Sequence, residues 1–327
     1  MGVCYICNNG EKNTALFPKE MFLGLRDVFP YVFCSSCRSL SIETIPTNLD
    51  EIYSKYPGLK HPQYKKSFIR NFVRRYMLTH TNFIAKTIAE RLNGFNDLRL
   101  KALYNLNLTE KSKILDVGTG SGFFVYELHE LGFKNTIGIE PALHADITFE
   151  NGAQIFKKTL FDIDDKFDFI TFHHTFEHLE NPSQILQKVA SLLKDDGICL
   201  ISLPNIECWA FRFFKEHWSG IHPPYHLFLP SKKGMEILAK ASGFKIVDMR
   251  FEQPVESLLR SFCYSLDFAS HDEFGTRSLL KDQPLGRRKI PLFTEQELTF
   301  WKEKAKRLKK DKLTDHIVFY LQKSNHK

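Results

Sequence analysis

From residue 113 to residue 250, short apolar runs rich in β-branched residues alternate with amphipathic segments of helical period, and this alternation restricts the fold more tightly than anything else in the chain. Strand-like runs fall at 113–117, 136–139, 154–159, 167–173, 197–203 and 245–250. Strands separated by helices pair in parallel, because each crossover must return over a face of the sheet. The prediction is an α/β fold with a mostly parallel sheet and helices on both faces. A helix over 182–194 has Asn181 to cap it, Pro182 in its first turn, and Ile185, Leu186, Val189, Leu192 and Leu193 along one face. Another, over 231–242, is closed by Gly243. After Arg250 the alternation breaks, and a last strand follows at 315–323. Within the break, Thr294 and Glu297 form a capping box for a helix with Leu298, Trp301, Ala305 and Leu308 on one side and lysines on the other.

A chain of 327 residues, 43% hydrophobic and 25% charged, can bury one large core with additions. The expected division is an N-terminal module over 1–60, a helical linker over 61–110 and the main domain over 111–327, with an insert near 253–314. The linker carries Phe68, Ile69, Phe72, Val73, Tyr76 and Met77 at helical spacing, then Phe83, Ile84, Ile88 and Leu92, which predicts two helices covering the edge of the main domain. No apolar run approaches the roughly 20 residues of a membrane span, and the N-terminus lacks a basic-then-apolar signal; the expectation is a cytoplasmic protein with no membrane span. A net charge of +7 is modest for a nucleic-acid binder, and the Lys/Arg-rich last quarter reads as a solvated helix face.

Four of the seven cysteines form two pairs, Cys4-x-x-Cys7 and Cys34-x-x-Cys37. Each pair has the reach of a knuckle turn that aims two thiolates at one tetrahedral ion. In a reducing compartment such a set holds structural zinc more often than disulfides, and a closed four-sulfur site leaves no position for catalysis. Cys199, Cys208 and Cys263 have no partner spacing and are expected to pack.

The run "KILDVGTGSGFF" places Asp116 in the first strand and Gly118, Gly120 and Gly122 directly after it. A dinucleotide fingerprint needs its third glycine where Phe123 stands, so an NAD reading weakens. D-x-G-x-G-x-G after the first strand resembles motif I of the class I S-adenosylmethionine-dependent methyltransferases, whose Rossmann-like fold implies a seven-stranded sheet. In that ligand's terms, the glycines let backbone approach the methionine moiety and Asp116 meets its ammonium. Glu140, at the end of the second strand in "TIGIEP", is placed to accept hydrogen bonds from both ribose hydroxyls. The resemblance further implies that Leu160, Phe161 and Asp162 frame the adenine and that His174 borders the cofactor.

"FDFITFHHTFEHLENP" resembles the branch related to ubiquinone-pathway and deoxysugar methyltransferases, whose fourth strand runs into a turn ending in Glu-His, here Glu177-His178. His222-Pro223-Pro224-Tyr225 differs by one residue from the Asn-Pro-Pro-Tyr of enzymes that methylate amino groups of nucleic-acid bases, yet it follows the fifth strand rather than the fourth. The better match is a Y-x-x-H region that lines the acceptor pocket of sugar methyltransferases. His226 is the first candidate for the base that takes the acceptor's proton and His178 the second, while Glu177 orients His178 or caps the following turn. His217, Trp218 and His222 are candidate pocket walls, and the 205–230 loop with the insert is expected to enclose a small-molecule or glycan acceptor. The resemblance implies methylation of a sugar hydroxyl, in a nucleotide sugar or surface glycan. An RNA base methyltransferase and a non-catalytic zinc-bearing interaction protein are the alternatives.

Overall fold

The computed structural model describes residues 2–54, 68–80, 97–104, 106–270 and 293–324. Three short strands come first: β1 (Thr14–Leu16), β2 (Tyr31–Phe33) and β3 (Leu40–Ile42). The alternating region supplies β4 (Ile114–Val117), β5 (Thr136–Ile139), β6 (Ile147–Thr148), β7 (Gln154–Phe156), β8 (Phe167–His173) and β9 (Leu193–Pro204). The remainder supplies β10 (Phe228–Leu229), β11 (Phe244–Glu252) and β12 (His316–Lys323).

The main sheet runs β11-β12-β9-β8-β4-β5-β7-β6. Strands β9, β8, β4, β5 and β7 are parallel, and β12, β11 and β6 join antiparallel. It has eight strands where seven were expected. The addition is the two-residue β6, folded back on β7 by a turn in which Gly152 takes φ +84° and Phe149 N–H donates to the Ala153 carbonyl at 2.8 Å. Central strands bury both faces, as β4 does at all four residues, which explains their near-continuous apolar sequence.

The expected helices form at Pro182–Leu192 and Lys232–Ala241, the latter followed by Gly243 at φ +76°. Asn181 stands at the cap position of the first but adopts φ +54° and makes no side-chain cap, so Pro182 alone fixes the entry. The capping box of helix Glu295–Lys310 forms as expected, and Trp301, Ala305 and Leu308 are its buried residues. Helix Phe68–Thr79 corrects the linker reading. It buries Arg74, Met77 and Leu78, with Arg74 paired to Glu127, while Phe68, Ile69 and Phe72 are exposed. The second predicted linker helix, 83–92, and residues 271–292 of the insert lie outside the described residues. No described helix is long and apolar enough to cross a membrane.

A second sheet, β1-β2-β3-β10, joins the N-terminal strands to the main domain. Its fourth strand comes from the loop after β9, with Phe228 opposite Ser41 and Leu229 opposite Leu40. Tyr31, Cys34, Cys37 and Leu40 share one continuous apolar cluster with Phe172, Phe176, Leu203 and Phe228 of the main domain. The N-terminal module is therefore packed into the domain's core.

Candidate active site

Parallel strands end together, so the turns after β4, β5, β8 and β9 meet at one edge of the sheet, where open α/β sheets bind ligands. A cavity of about 450 Å³ opens there, lined by Asp97, Arg99, Asp116, Gly118, His173 and His174 among others. Asp116 is buried on β4 and accepts a 2.8 Å hydrogen bond from Thr171 Oγ1. Burial pushes its carboxyl up to about 6. Gly118 takes φ +66°, and a Cβ there would stand 2.2 Å from Thr175 Cγ2, so only glycine lets the chain turn beneath the cavity.

Gly120 and Gly122 also adopt positive φ, and Gly122 begins helix Phe123–Glu130. Glu140 follows β5, with one carboxylate oxygen accepting from Gly120 N–H and the other from Ala142 N–H, both at 3.1 Å. This carboxylate bridges the two turns and keeps further lone pairs for a ligand. Leu160 is buried in the core, whereas Phe161 is exposed. Asp162 serves the local turn, accepting from Thr159 N–H and Oγ1 at 2.8 and 2.7 Å. None of these three lines the cavity.

Asp97 and Arg99, which sequence reasoning missed, also line it. Arg99 Nη2 donates to Asp97 Oδ2 at 2.8 Å, and its guanidinium stacks 5.0 Å from the Phe123 ring centroid. Burial disfavours the charge on Arg99, but the bonds from Asp97 outweigh it and hold the pKa above its ordinary value. The one local signal was Asp97 before an apolar helical run, which marks a helix cap; its carboxylate accepts from Arg99 N–H at 2.9 Å. His173 packs half-buried against Phe124, and desolvation together with Arg99 lowers its pKa to about 3.

His174 connects this cavity to a second cluster. Its backbone turns at φ +55° with its N–H on the Ser202 carbonyl, and Nδ1 lies 3.5 Å from Glu177 Oε1. Glu177 is fully buried, and neither carboxylate oxygen has a hydrogen-bond partner among the described residues. His226 Nε2 approaches the same oxygen at 3.8 Å, while His226 Nδ1 is 2.9 Å from the Gly220 carbonyl. That carbonyl can only accept, so Nδ1 carries the proton and Nε2 keeps a lone pair. Glu177 thus faces His174 and His226, and His178 belongs to the same cluster: one atom each of Glu177, His178 and His226 lie within 4.8 Å of one another. Burial lowers the pKa of both His178 and His226, so both stay neutral.

His222 and Tyr225 pack beside His226, and the Pro223-Pro224 peptide bond between them is cis. Trp218 is buried inside the loop against Phe211 and forms no exposed wall, and His217 lies in a short 3₁₀ turn with no buried residue. The insert steadies the loop, Ser219 N–H donating to Ser261 Oγ at 3.0 Å.

At the other end of the loop the four predicted ligand cysteines meet. Their sulfurs lie within 4.8 Å of one another, Cys4 and Cys37 at 3.5 Å and Cys7 and Cys34 at 3.6 Å. The hydrogen bond from Cys4 pushes Cys37 down to about 4 and raises Cys4 itself.

A family model described as "Methyltransferase domain" matches residues 75–249. The ubiquinone biosynthesis O-methyltransferase of Glaesserella parasuis is 32% identical over 108 residues, which cover 28% of this chain and 45% of that protein. The mitochondrial ubiquinone biosynthesis O-methyltransferase of Dictyostelium discoideum is 27% identical over 143 residues, covering 38% of this chain and 44% of that one. The chain thus spans less than half the length of these curated relatives. An S-adenosylmethionine-dependent methyltransferase from Mesorhizobium loti superposes over 66% of this chain and 94% of its own, with 14% identity and a TM-score of 0.40. Since the family model spans more than half of its length, the chain belongs to the methyltransferase-domain family.

Proposed function

We propose that the chain transfers a methyl group from S-adenosylmethionine to the hydroxyl of a sugar, in a nucleotide sugar or at the end of a glycan. One observation carries the reading: the cavity under the glycine turn and the buried Glu177–His226 pair are joined by His174, so a cofactor pocket adjoins a group able to take a proton. The residues present fit the cofactor. Asp116 offers a carboxylate to its ammonium, Arg99 a guanidinium to its carboxylate, and Glu140 free lone pairs to its ribose hydroxyls. Gly118, Gly120 and Gly122 leave room for backbone approach. Bound there, the cofactor supplies a methyl carbon on a sulfonium, which needs no covalent help to leave.

The chain's own task is then placement and proton removal. His226 presents the lone pair of Nε2, and burial keeps it unprotonated at neutral pH. As it takes the hydroxyl proton, Glu177 beside it stabilises the imidazolium. His178 is the second candidate base. Oxygen as the acceptor atom is supported by the curated relatives' names, which also favour a second reading, a phenolic hydroxyl.

Cys4, Cys7, Cys34 and Cys37 are assigned to structural zinc. Zinc–sulfur bonds of about 2.3 Å in a tetrahedron put sulfurs about 3.8 Å apart, close to the spacing of the two short pairs.

Incubation with methyl-labelled cofactor and nucleotide sugars, phenols or RNA tests the assignment. Label is expected in a nucleotide sugar, and His226→Gln should lower kcat about 100-fold or more. Label in the phenol alone selects the second reading. Label in RNA, or no binding of the cofactor by calorimetry, overturns the proposal in favour of base methylation or a non-catalytic role.

A further inference from the structure

The proposed base is held in place from the far side by the cysteine module. His226 has no strand neighbour within the main sheet; the residues after it, Phe228 and Leu229, pair with β3. Tyr31 Oη, buried on β2, donates to the His226 carbonyl at 2.7 Å. Ile42 N–H, at the end of β3, donates to the Leu227 carbonyl at 2.8 Å, and Leu227 N–H donates to the Glu177 carbonyl at 2.8 Å. The backbone just after the base is therefore tied on both sides, to the hairpin and to the residue that faces its imidazole.

The hairpin is itself closed by the second knuckle. Tyr31 lies three residues before Cys34, and Leu40 three residues after Cys37. The knuckle also grips the main chain beyond the base. Ser231 Oγ donates to the Cys37 carbonyl, Ser231 N–H to Ser39 Oγ at 3.0 Å, and Lys233 Nζ to the Ser36 carbonyl at 2.8 Å. Phe22, on the same module, sets its ring edge-on to His222 at 4.8 Å.

We propose that Tyr31 is a positioning residue for His226 and that occupancy of the four-cysteine centre controls the base through it, leaving the cofactor pocket apart. The physical reason is that the Tyr31 hydroxyl bond, the Ile42–Leu227 bond and a two-residue ladder orient this stretch of backbone on that side, and all three depend on the shape of a small hairpin. Without an ion no sulfur–metal bond joins the two knuckles, and the hairpin then lacks that cross-link. The cofactor turns after β4 and β5 make none of these contacts.

The inference rests on His226 being the base, and its test separates the two. The full chain carrying labelled histidine is studied by NMR, with the His226 ring signal assigned by its loss in His226→Gln. Tyr31→Phe should shift that signal and lower kcat about tenfold, with acceptor KM and the cofactor's Kd changed less than twofold. Removing the metal with a chelator, and separately Cys34→Ser, should give the same signal shift, with cofactor still bound by calorimetry. An unmoved His226 signal and kcat in Tyr31→Phe would overturn the proposal, as would a loss of cofactor affinity that matches the loss of kcat. If His226→Gln leaves the rate intact while the Tyr31→Phe shift persists, the base assignment fails and the positioning contact stands.

Discussion

Asp116 is where burial and ligand chemistry meet in a single side chain. Its carboxyl is raised to about 6 because the ionised form lacks water, yet a cofactor ammonium needs that ionised form. Affinity for S-adenosylmethionine should therefore be full above that value and fall as pH drops through about 6, which calorimetry across pH 5 to 8 would show. A flat profile would mean that Asp116 does not face the ammonium. Gly118→Ala should weaken the same binding by tenfold or more, since it forces a side chain into φ +66° against Thr175, at a cost of about 1–3 kcal/mol. These residues were legible in the sequence because their chemistry is local: strand, glycine turn and second-strand acid all fall within one stretch. Asp97 and Arg99 were not, since nothing in a linker segment says that it folds back over the turn after β4.

At the scale of elements, periodicity identified the parallel strands and the helices whose apolar face is continuous. It placed helix Phe68–Thr79 with Met77 buried, but Phe68, Ile69 and Phe72 of the predicted stripe are exposed while Arg74 is buried against Glu127. A buried ion pair lies outside any pattern of hydrophobicity. Strand β10 was also invisible: two residues carry no period, and only pairing with β3 makes them a strand. The capping box before helix Glu295–Lys310 was legible because both partners are local. Thr294→Ala should lower stability by about 1 kcal/mol, read as a shift of the denaturation midpoint with an unchanged slope; an unshifted midpoint would show that the box contributes nothing.

For the whole molecule, the histidines set the acid limit. Burial lowers His173 to about 3 and holds His226 and His316 well below 6.5. Below 6.5 the unfolded chain binds protons that the folded chain refuses, so stability is present above that value and is lost as pH falls toward the folded values. Asp116, Glu127 and Asp315, raised by burial, work in the opposite direction, while His129 and His178 add to the three histidines named. The thermal midpoint should fall between pH 7 and pH 5, and His173→Gln should flatten that fall; an equal slope in the variant would remove His173 from the account. By itself the sequence determined the layer architecture, the glycine turn with its two acids, and the two cysteine knuckles, because each is written in neighbouring residues. Only the tertiary structure decided that Glu177 faces His226, that Arg99 lines the cavity and that the cysteine module holds the loop of His226. Those contacts join segments up to 195 positions apart, and distances across a folded core are set by packing, which no local pattern encodes.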